Sequence, residues 1–440
     1  MDFMFIYGLY GFYHRFRNIK ILLILIITVQ LQGVSVMYIL RDIRTVIIYL
    51  KKYKECYMKK LILLFAALLL AFAVTGCSKK KAPELSEVEV IKIGVFEPLT
   101  GANASGGEYE VRGIKLANKL FPTVLGKKIE LVIVDNKSDK VESANAAERL
   151  VNKEQVVAII GSWGSSLSMA GGKVTKGKVP VVACSATNPL VTKGNDWYFR
   201  VCFLDPFQGK VMANFAVNQK KAKTACVIQE ISNDYSVGLA KFFIDSFTEL
   251  TKNDKSVLAK PFSYNTGDVD FTAQITAIAQ LKPDVIFAPG NYTESALIIK
   301  QAKDQGINIP FLGGDTWEVD TFLEVGKKSV EGAIFSTFFT SEVPITKMSG
   351  TFLKAYAADY TDEPAAVAAL GFDAYLVIRA AIERANSIDP AKIRDEIAKT
   401  KDFEGAAGVI TLDENGDAVK DAVIKIVKDG KFKYLSTVKP

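Results

Sequence analysis

The chain has 440 residues, enough for two domains with full cores. Its formal net charge of +7 is unevenly spread: residues 1–76 hold ten Lys/Arg and three acids, which leaves 45 basic and 45 acidic residues in 77–440. That neutral remainder has no global field to attract nucleic acid or anionic lipid, so nucleic acid is not an expected partner.

In chain order, residues 19–40 (IKILLILIITVQLQGVSVMYIL) form an apolar run long enough to span a bilayer. A second segment opens at Met58 with a basic head, an apolar stretch and small residues, MKKLILLFAALLLAFAVTGC, the layout of a secretory signal peptide. Val74-Thr75-Gly76-Cys77 resembles a bacterial lipobox, in which the cysteine is lipidated and becomes the mature N-terminus. A membrane anchor ahead of a lipobox is redundant, so residues 1–57 are expected to be an upstream extension, with translation starting at Met58. Lys54-Glu55 fits the codons AAG-GAG, a purine-rich ribosome-binding sequence just before that methionine. Residues 58–76 are then the signal peptide, and 77–90 the lipidated cysteine with a polar tether lacking periodicity.

The only histidine, His14, precedes Cys77. Ser-His-Asp and Cys-His catalysis and His-based zinc sites are thereby excluded from the remainder, which lowers the expectation of an enzyme. No two of Cys56, Cys77, Cys184, Cys202 and Cys226 have metal-ligand spacing, and no metal or other cofactor is expected. Cys184, Cys202 and Cys226 sit in strand-like stretches as small buried hydrophobes, with a bridge between two of them left open.

From Val90 strand and helix patterns alternate. Strands are expected at 90–96, 127–135, 156–163 and 179–186, with helices at 108–120, 141–152 and 166–176 between them. After a less regular stretch come helix 207–219, strand 224–230, helices 235–250 and 270–280, strand 284–290, helix 294–305 and strands 309–315 and 332–339. Helices at 348–360, 364–385 and 390–400 follow, and DENGD between alternating apolar runs signals a hairpin. The pattern predicts an α/β protein of two doubly wound parallel-sheet lobes, the late helices packing back on the first. Ligands of such sheets lie beyond the strands' carboxyl ends, which here carry FEPLTG, GSWGSS, CSATNP, EISNDY, PGNYTE and GGDTW. Ser165 and Ser166 open a helix after a strand, where free N–H groups favour a carboxylate; simple N-capping is the alternative. Asp315 suits an ammonium or a turn, Tyr235 a pocket or a half-exposed helix start, and Trp163 and Trp317 a pocket wall or the core. There is no phosphate-binding GxxxxGK[ST] loop.

Over residues 90–436 the chain resembles the leucine/isoleucine/valine-binding protein family, type I periplasmic solute-binding receptors of ABC importers. The likeness runs through IKIGVFEPLTG, RGIKLA, VVAIIGSWGSS, VPVVACSATNP, YFRVCFLDPFQG, NDYSVGLA, DFTAQI, GNYTE, FLGGDTW and TLDENGD, in register. It implies two lobes, 91–204 plus 338–408 and 205–337 plus 409–440, joined by a multi-strand hinge. It also implies a ligand site with Ser165 at the α-carboxylate and Trp163 and Gly164 on the wall. In CSATNP it places Ser185, through its carbonyl, and Thr187 at the ammonium and carboxylate, with Ala186 between them. Tyr235 closes from the second lobe, Asp315 pairs the α-ammonium, and Asn291 stands where the family has an aromatic, beside Tyr292. Ser138 and Gly164 occupy the positions of a family disulfide, which is therefore absent.

The resemblance implies a monomeric extracytoplasmic lipoprotein, anchored through Cys77, that delivers a free amino acid, branched-chain first, to the permease subunits of an ABC importer. Ligand contacting both lobes only in the closed state would drive closure. The alternatives are a sensor subunit of the same fold, an enzyme acting through Ser165 or Asp315, and a receptor for an amide or another small polar solute.

Overall fold

The computed structural model describes residues 85–440. The upstream extension, the Met58 start, the signal peptide, Cys77 and the tether's first part lie outside the described residues. The tether ends sooner than its composition suggests: Leu85–Glu87 form a 3-10 turn, and Leu85 and Val88 pack against the core.

The first half runs β1 (Val90–Glu97), α1 (Ala104–Leu120), β2 (Thr123–Val124), β3 (Lys127–Asp135), α2 (Lys140–Glu148), β4 (Ala158–Ile160), α3 (Ser165–Thr175), β5 (Val181–Ala183) and β6 (Tyr198–Arg200). These strands form a sheet of order β2-β3-β1-β4-β5-β6, parallel except where β2 meets β3. Next come α4 (Asp205–Asn214), β7 (Ala225–Glu230), α5 (Asp234–Thr251), β8 (Phe262–Tyr264), α6 (Thr272–Leu281), β9 (Val285–Phe287), α7 (Tyr292–Asp304), β10 (Phe311–Gly313), α8 (Asp320–Gly326) and β11 (Ile334–Thr337). The chain then forms α9 (Lys347–Asp359), α10 (Ala366–Ala385), α11 (Pro390–Ala398), β12 (Phe403–Gly405), β13 (Gly408–Ile410), β14 (Ala422–Lys428) and β15 (Lys431–Val438). The second sheet has the order β15-β14-β11-β10-β9-β7-β8, parallel from β11 to β8 and antiparallel at β14 and β15.

Parallel strands buried on both faces explain the near-continuous apolar runs of Ala158–Ile160, Val181–Ala183 and Val285–Phe287, all buried. The strands are shorter than the apolar runs, because the polar residues at their ends peel away into loops. The late helices do return to the first half, where α10 packs along α1. The two backbones meet at glycines: a Cβ on Gly113 would lie 1.8 Å from the Ala368 carbonyl oxygen, and one on Gly371 would lie 2.3 Å from that of Glu110.

The expected hairpin needs correcting. DENGD does turn, with Gly416 N–H donating to the Asp413 carbonyl at 3.0 Å, but its flanks pair only through the Leu412–Ala418 bridge. The extended hairpin at this end is β14–β15, closed at Asp429-Gly430.

The chain crosses between the sheets three times, after β6, after β11 and before β14. The crossings brace one another. The rings of Phe203 and Phe338 lie 4.5 Å apart, and Arg200, fully buried, pairs with Asp417 at 2.6 Å. Cys184, Cys202 and Cys226 are buried free thiols, so none bridges another.

Candidate functional site

The carboxyl ends of the two sheets face each other across a cavity of about 80 Å³, against roughly 10–15 Å³ for one water. Such a space has the scale of a free amino acid. From the first half it is lined by Trp163, Gly164, Ser165, Ser185, Asn103 and Ser138, and from the second by Tyr235, Asn291, Asp315 and Glu230.

On the first side, Gly164 takes φ +89°, a conformation open to glycine, and turns the chain out of β4 so that α3 starts at the cavity. Ser165, 1% exposed, is the first helical residue, and its Oγ accepts from Asn188 N–H at 3.1 Å. The α3 amino end therefore presents backbone donors and the positive end of the helix dipole to the cavity. Trp163 is held by its N–H, which donates to Glu97 Oε2 at 2.6 Å. Its ring lies 6.0 Å from that of Tyr292, and a Cβ on Gly106 would strike it at 2.4 Å.

The Ser185 hydroxyl donates to Glu110 Oε1. Glu97, Glu110 and Cys184 are buried with their oxygen and sulfur atoms within 4.8 Å of one another. Burial pushes both carboxyls up, and each feels the other. Burial also pushes the Cys184 thiol up. Two buried carboxyls this close favour holding one proton between them.

On the second side, Asp315 is 3% exposed; its Oδ1 accepts from Gln208 Nε2 at 2.7 Å and from the Tyr235 hydroxyl at 3.0 Å. Burial pushes its carboxyl up to about 6, against the pull of those two donors. No lysine or arginine pairs with it among the described residues, so a carboxylate faces the cavity without a counter-charge. Asn291 caps α7, accepts from Asn233 Nδ2 at 3.3 Å and donates to Asn103 Oδ1 at 3.0 Å.

Three of the sequence-predicted residues stand behind this lining. Ala186 is buried and gives its carbonyl to Arg200. Thr187 is buried beside Asp205, whose carboxyl burial pushes up to about 8 against the pull of the Thr187 hydroxyl. Tyr292 spends its hydroxyl on the Ala102 carbonyl at 2.8 Å and on Ser105 N–H at 3.2 Å. Trp317 is fully buried and stacks on Phe322 at 4.9 Å, inside the second half.

Sequence reasoning missed Glu230, Asn233, Asn103 and Asp234. Glu230 ends β7 and Asn233 caps α5, so the strand-end rule applied to the last strand residue would have found the first. Asp234 ties the halves together: its Oδ2 accepts from Ser166 Oγ at 2.7 Å and pairs with Lys140 at 3.0 Å, while Asn188 Nδ2 donates to its carbonyl at 2.8 Å. Tyr109 of α1 donates to Asp320 at 2.8 Å on the same seam. The cleft is closed.

Two parallel sheets bridged by three crossings, closing strand ends over a polar cavity, define the type I periplasmic-binding-protein fold. Residues 90–431 match the periplasmic binding protein family, and the chain belongs to it. It is 43% identical to the leucine-binding protein LivK of Thermotoga maritima, with 80% of this chain and 99% of that one covered at a TM-score of 0.77. Its identity is 32% with the branched-chain amino acid transporter substrate-binding protein LivJ of Streptococcus pneumoniae, solved with isoleucine (TM-score 0.74; 80% and 100% covered). An amino acid binding protein of Pseudomonas aeruginosa is 28% identical over 84% of this chain and 98% of its own length. The family consists of extracytoplasmic solute-binding proteins rather than enzymes. Among the described residues no helix is long and apolar enough to cross a membrane.

Proposed function

We propose that this protein captures a free α-amino acid between two lobes and delivers it to the permease subunits of an ABC importer. The observation that carries this reading is one closed cavity with the amino end of α3 on one side and the unpaired carboxylate of Asp315 on the other. The two ends suit the α-carboxylate and the α-ammonium of one small zwitterion. Ser165, Ser185, Tyr235 and Asp315 are its contact residues, with Trp163, Gly164 and Asn291 on the wall. Ala186, Thr187 and Tyr292 back that wall. Branched-chain amino acids are the first cargo to test, because the relatives named above bind leucine and isoleucine.

In this reading the lobes comprise 91–204 plus 338–408 and 205–337 plus 409–440, and sheet membership supports that division up to the last crossing. That crossing falls after β13, because β13 pairs with β12. The mature protein starts at Cys77 and is lipid-anchored there; the support is the sequence of residues 58–77. It works as a monomer, a reading supported by a cavity lined from within one chain. Calorimetry on the purified protein tests the cargo, with saturable one-to-one binding of leucine, isoleucine or valine expected; silence toward every amino acid overturns the reading. Mass spectrometry of the N-terminus in wild type and Cys77→Ser tests the anchor, and an unmodified wild-type cysteine refutes it.

A further inference from the structure

Asp315 is one of two buried carboxylates on the second side of the cavity; Glu230 is the other. It ends β7, lines the cavity and is 1% exposed. Its Oε2 accepts from Asn233 Nδ2 at 3.0 Å and its Oε1 from the Thr266 hydroxyl. Both donors are neutral, and each carboxylate oxygen keeps a further lone pair. Among the described residues no lysine or arginine pairs with Glu230. Lys140, the cation on the cavity lining, is taken by Asp234 at 3.0 Å. Behind Glu230 lies another acid, Glu294, whose carboxyl is pushed up by burial and by the charge of Glu230. A buried carboxylate with a second acid behind it and only neutral donors beside it is a site for a positive or donor-bearing group.

Its orientation is fixed. Asn233 donates to both Glu230 and Asn291 and accepts from Tyr235 N–H at 3.1 Å, so both of its N–H donors are used. Asn291 continues the line to Asn103 across the cleft. This polar wall stands where a receptor confined to aliphatic side chains would place apolar ones, since a buried polar group left facing a methyl is costly.

The spacing also suits one ligand. Strands β10 and β7 flank β9, and adjacent strands lie about 4.8 Å apart, so the two strand ends are roughly 10 Å apart. Allowing about 2.9 Å for a hydrogen bond at each end leaves roughly 4 Å between two donors in line with them, and more where the bonds lie off that line. An α-ammonium and a nitrogen three to five bonds along the side chain span such a distance.

We propose that Glu230 is a second cargo-recognition group, which extends the receptor's range to α-amino acids whose side chain carries an N–H donor: an amide, an ammonium or a guanidinium. This rests on the reading of Asp315 as the partner of the α-ammonium.

Calorimetry of the purified protein with asparagine, glutamine, lysine, arginine, leucine and norleucine tests it, since norleucine matches lysine in length without the nitrogen. At least one donor-bearing amino acid should bind tenfold or more tightly than norleucine. In Glu230→Gln, shown to be folded by its thermal melt, the ratio of that affinity to leucine's should fall at least tenfold. Binding of leucine with no response to any donor-bearing amino acid overturns the proposal and leaves the amino-acid receptor standing. An unchanged ratio in Glu230→Gln does the same. Silence toward all six overturns this proposal, and extended to isoleucine and valine it overturns the receptor reading as well.

Discussion

Asp315 holds a charge at a cost that its two neutral donors offset only in part. Burial raises its carboxyl to about 6 while Gln208 and Tyr235 favour the ionised form. Replacing one partner of a desolvated ion pair costs about 3–5 kcal/mol, so Asp315→Asn should weaken binding of an α-amino acid at least a hundredfold. Neutral amides, which bring no ammonium, should lose far less, and calorimetry with matched acid and amide ligands separates the cases. Wild-type affinity should also fall as pH drops through about 6 and Asp315 takes up its proton.

Stability should run the opposite way. Asp205, at about 8, and Asp315, at about 6, lie above the ordinary carboxyl value, and Glu97 and Glu110 are displaced in the same direction. Between about pH 4 and 8 the folded chain therefore holds protons that the unfolded chain has released, and unfolding free energy falls as pH rises, by about 1.4 kcal/mol per pH unit per such proton. The lowered carboxyls, Asp135, Asp234, Asp270, Asp284 and Glu396, act in the other direction at more acid pH. Ligand-free protein should melt several degrees higher at pH 5 than at pH 8. Saturating ligand should narrow that gap at its upper end, because its ammonium compensates the Asp315 charge.

Among the elements, the α1–α10 crossing is the tightest joint. Alanine is intrinsically better than glycine inside a helix by about 1 kcal/mol, yet at Gly371 the methyl would sit 2.3 Å from the Glu110 carbonyl oxygen. Overpacking of this kind costs about 1–3 kcal/mol or more, so the clash outweighs the propensity and Gly371→Ala should lower the melting temperature. It should also weaken ligand binding, because the displaced segment carries Glu110, which accepts from Ser185.

The same elements show what could be read from the chain. Val90–Glu97, Lys127–Asp135 and Asp234–Thr251 lie within a residue of the expected limits, because their apolar periodicity reflects the burial that forms them. The short β2, β6 and β8 carry too few residues for any period to show. β15 is a regular alternation of half-buried and exposed residues, but KFKYLSTV is too polar to read as a strand without its partner β14. At the site, seven of ten expected residues reach the cavity lining because strand ends and helix starts are local features. The Glu97–Glu110 pair and the Glu230–Asn233–Asn291–Asn103 line join residues from different elements, and no local pattern encodes them.

At the scale of the molecule, the working quantity is the free-energy difference between open and closed cleft. Ligand can shift that balance only by what it contacts in the closed form. Asp234 adds to the closed state whether or not ligand is present, through Ser166, Lys140 and Asn188. Removing its carboxylate, and with it the Ser166 and Lys140 contacts but not the Asn188 bond to its backbone carbonyl, should reduce the closed population of the free protein and, with it, the apparent affinity. Asp234→Ala should thus bind every cargo more weakly by a similar factor, whereas Glu230→Gln discriminates between cargoes. Trp163 supplies the readout. Its indole is wedged between Tyr292 of the second half and Gly106 of the first, so opening must change its surroundings. Trp317, fully buried against Phe322, and Trp197, which lies against Arg394, are not among the cavity-lining residues. A ligand-induced change in tryptophan fluorescence should therefore persist in Trp317→Phe and vanish in Trp163→Phe. The Asp234→Ala variant should show a larger amplitude than wild type, reached at a higher ligand concentration, because its free state is more open. An equal amplitude would mean that the free wild type is no more closed than the variant, so that Asp234 is no latch.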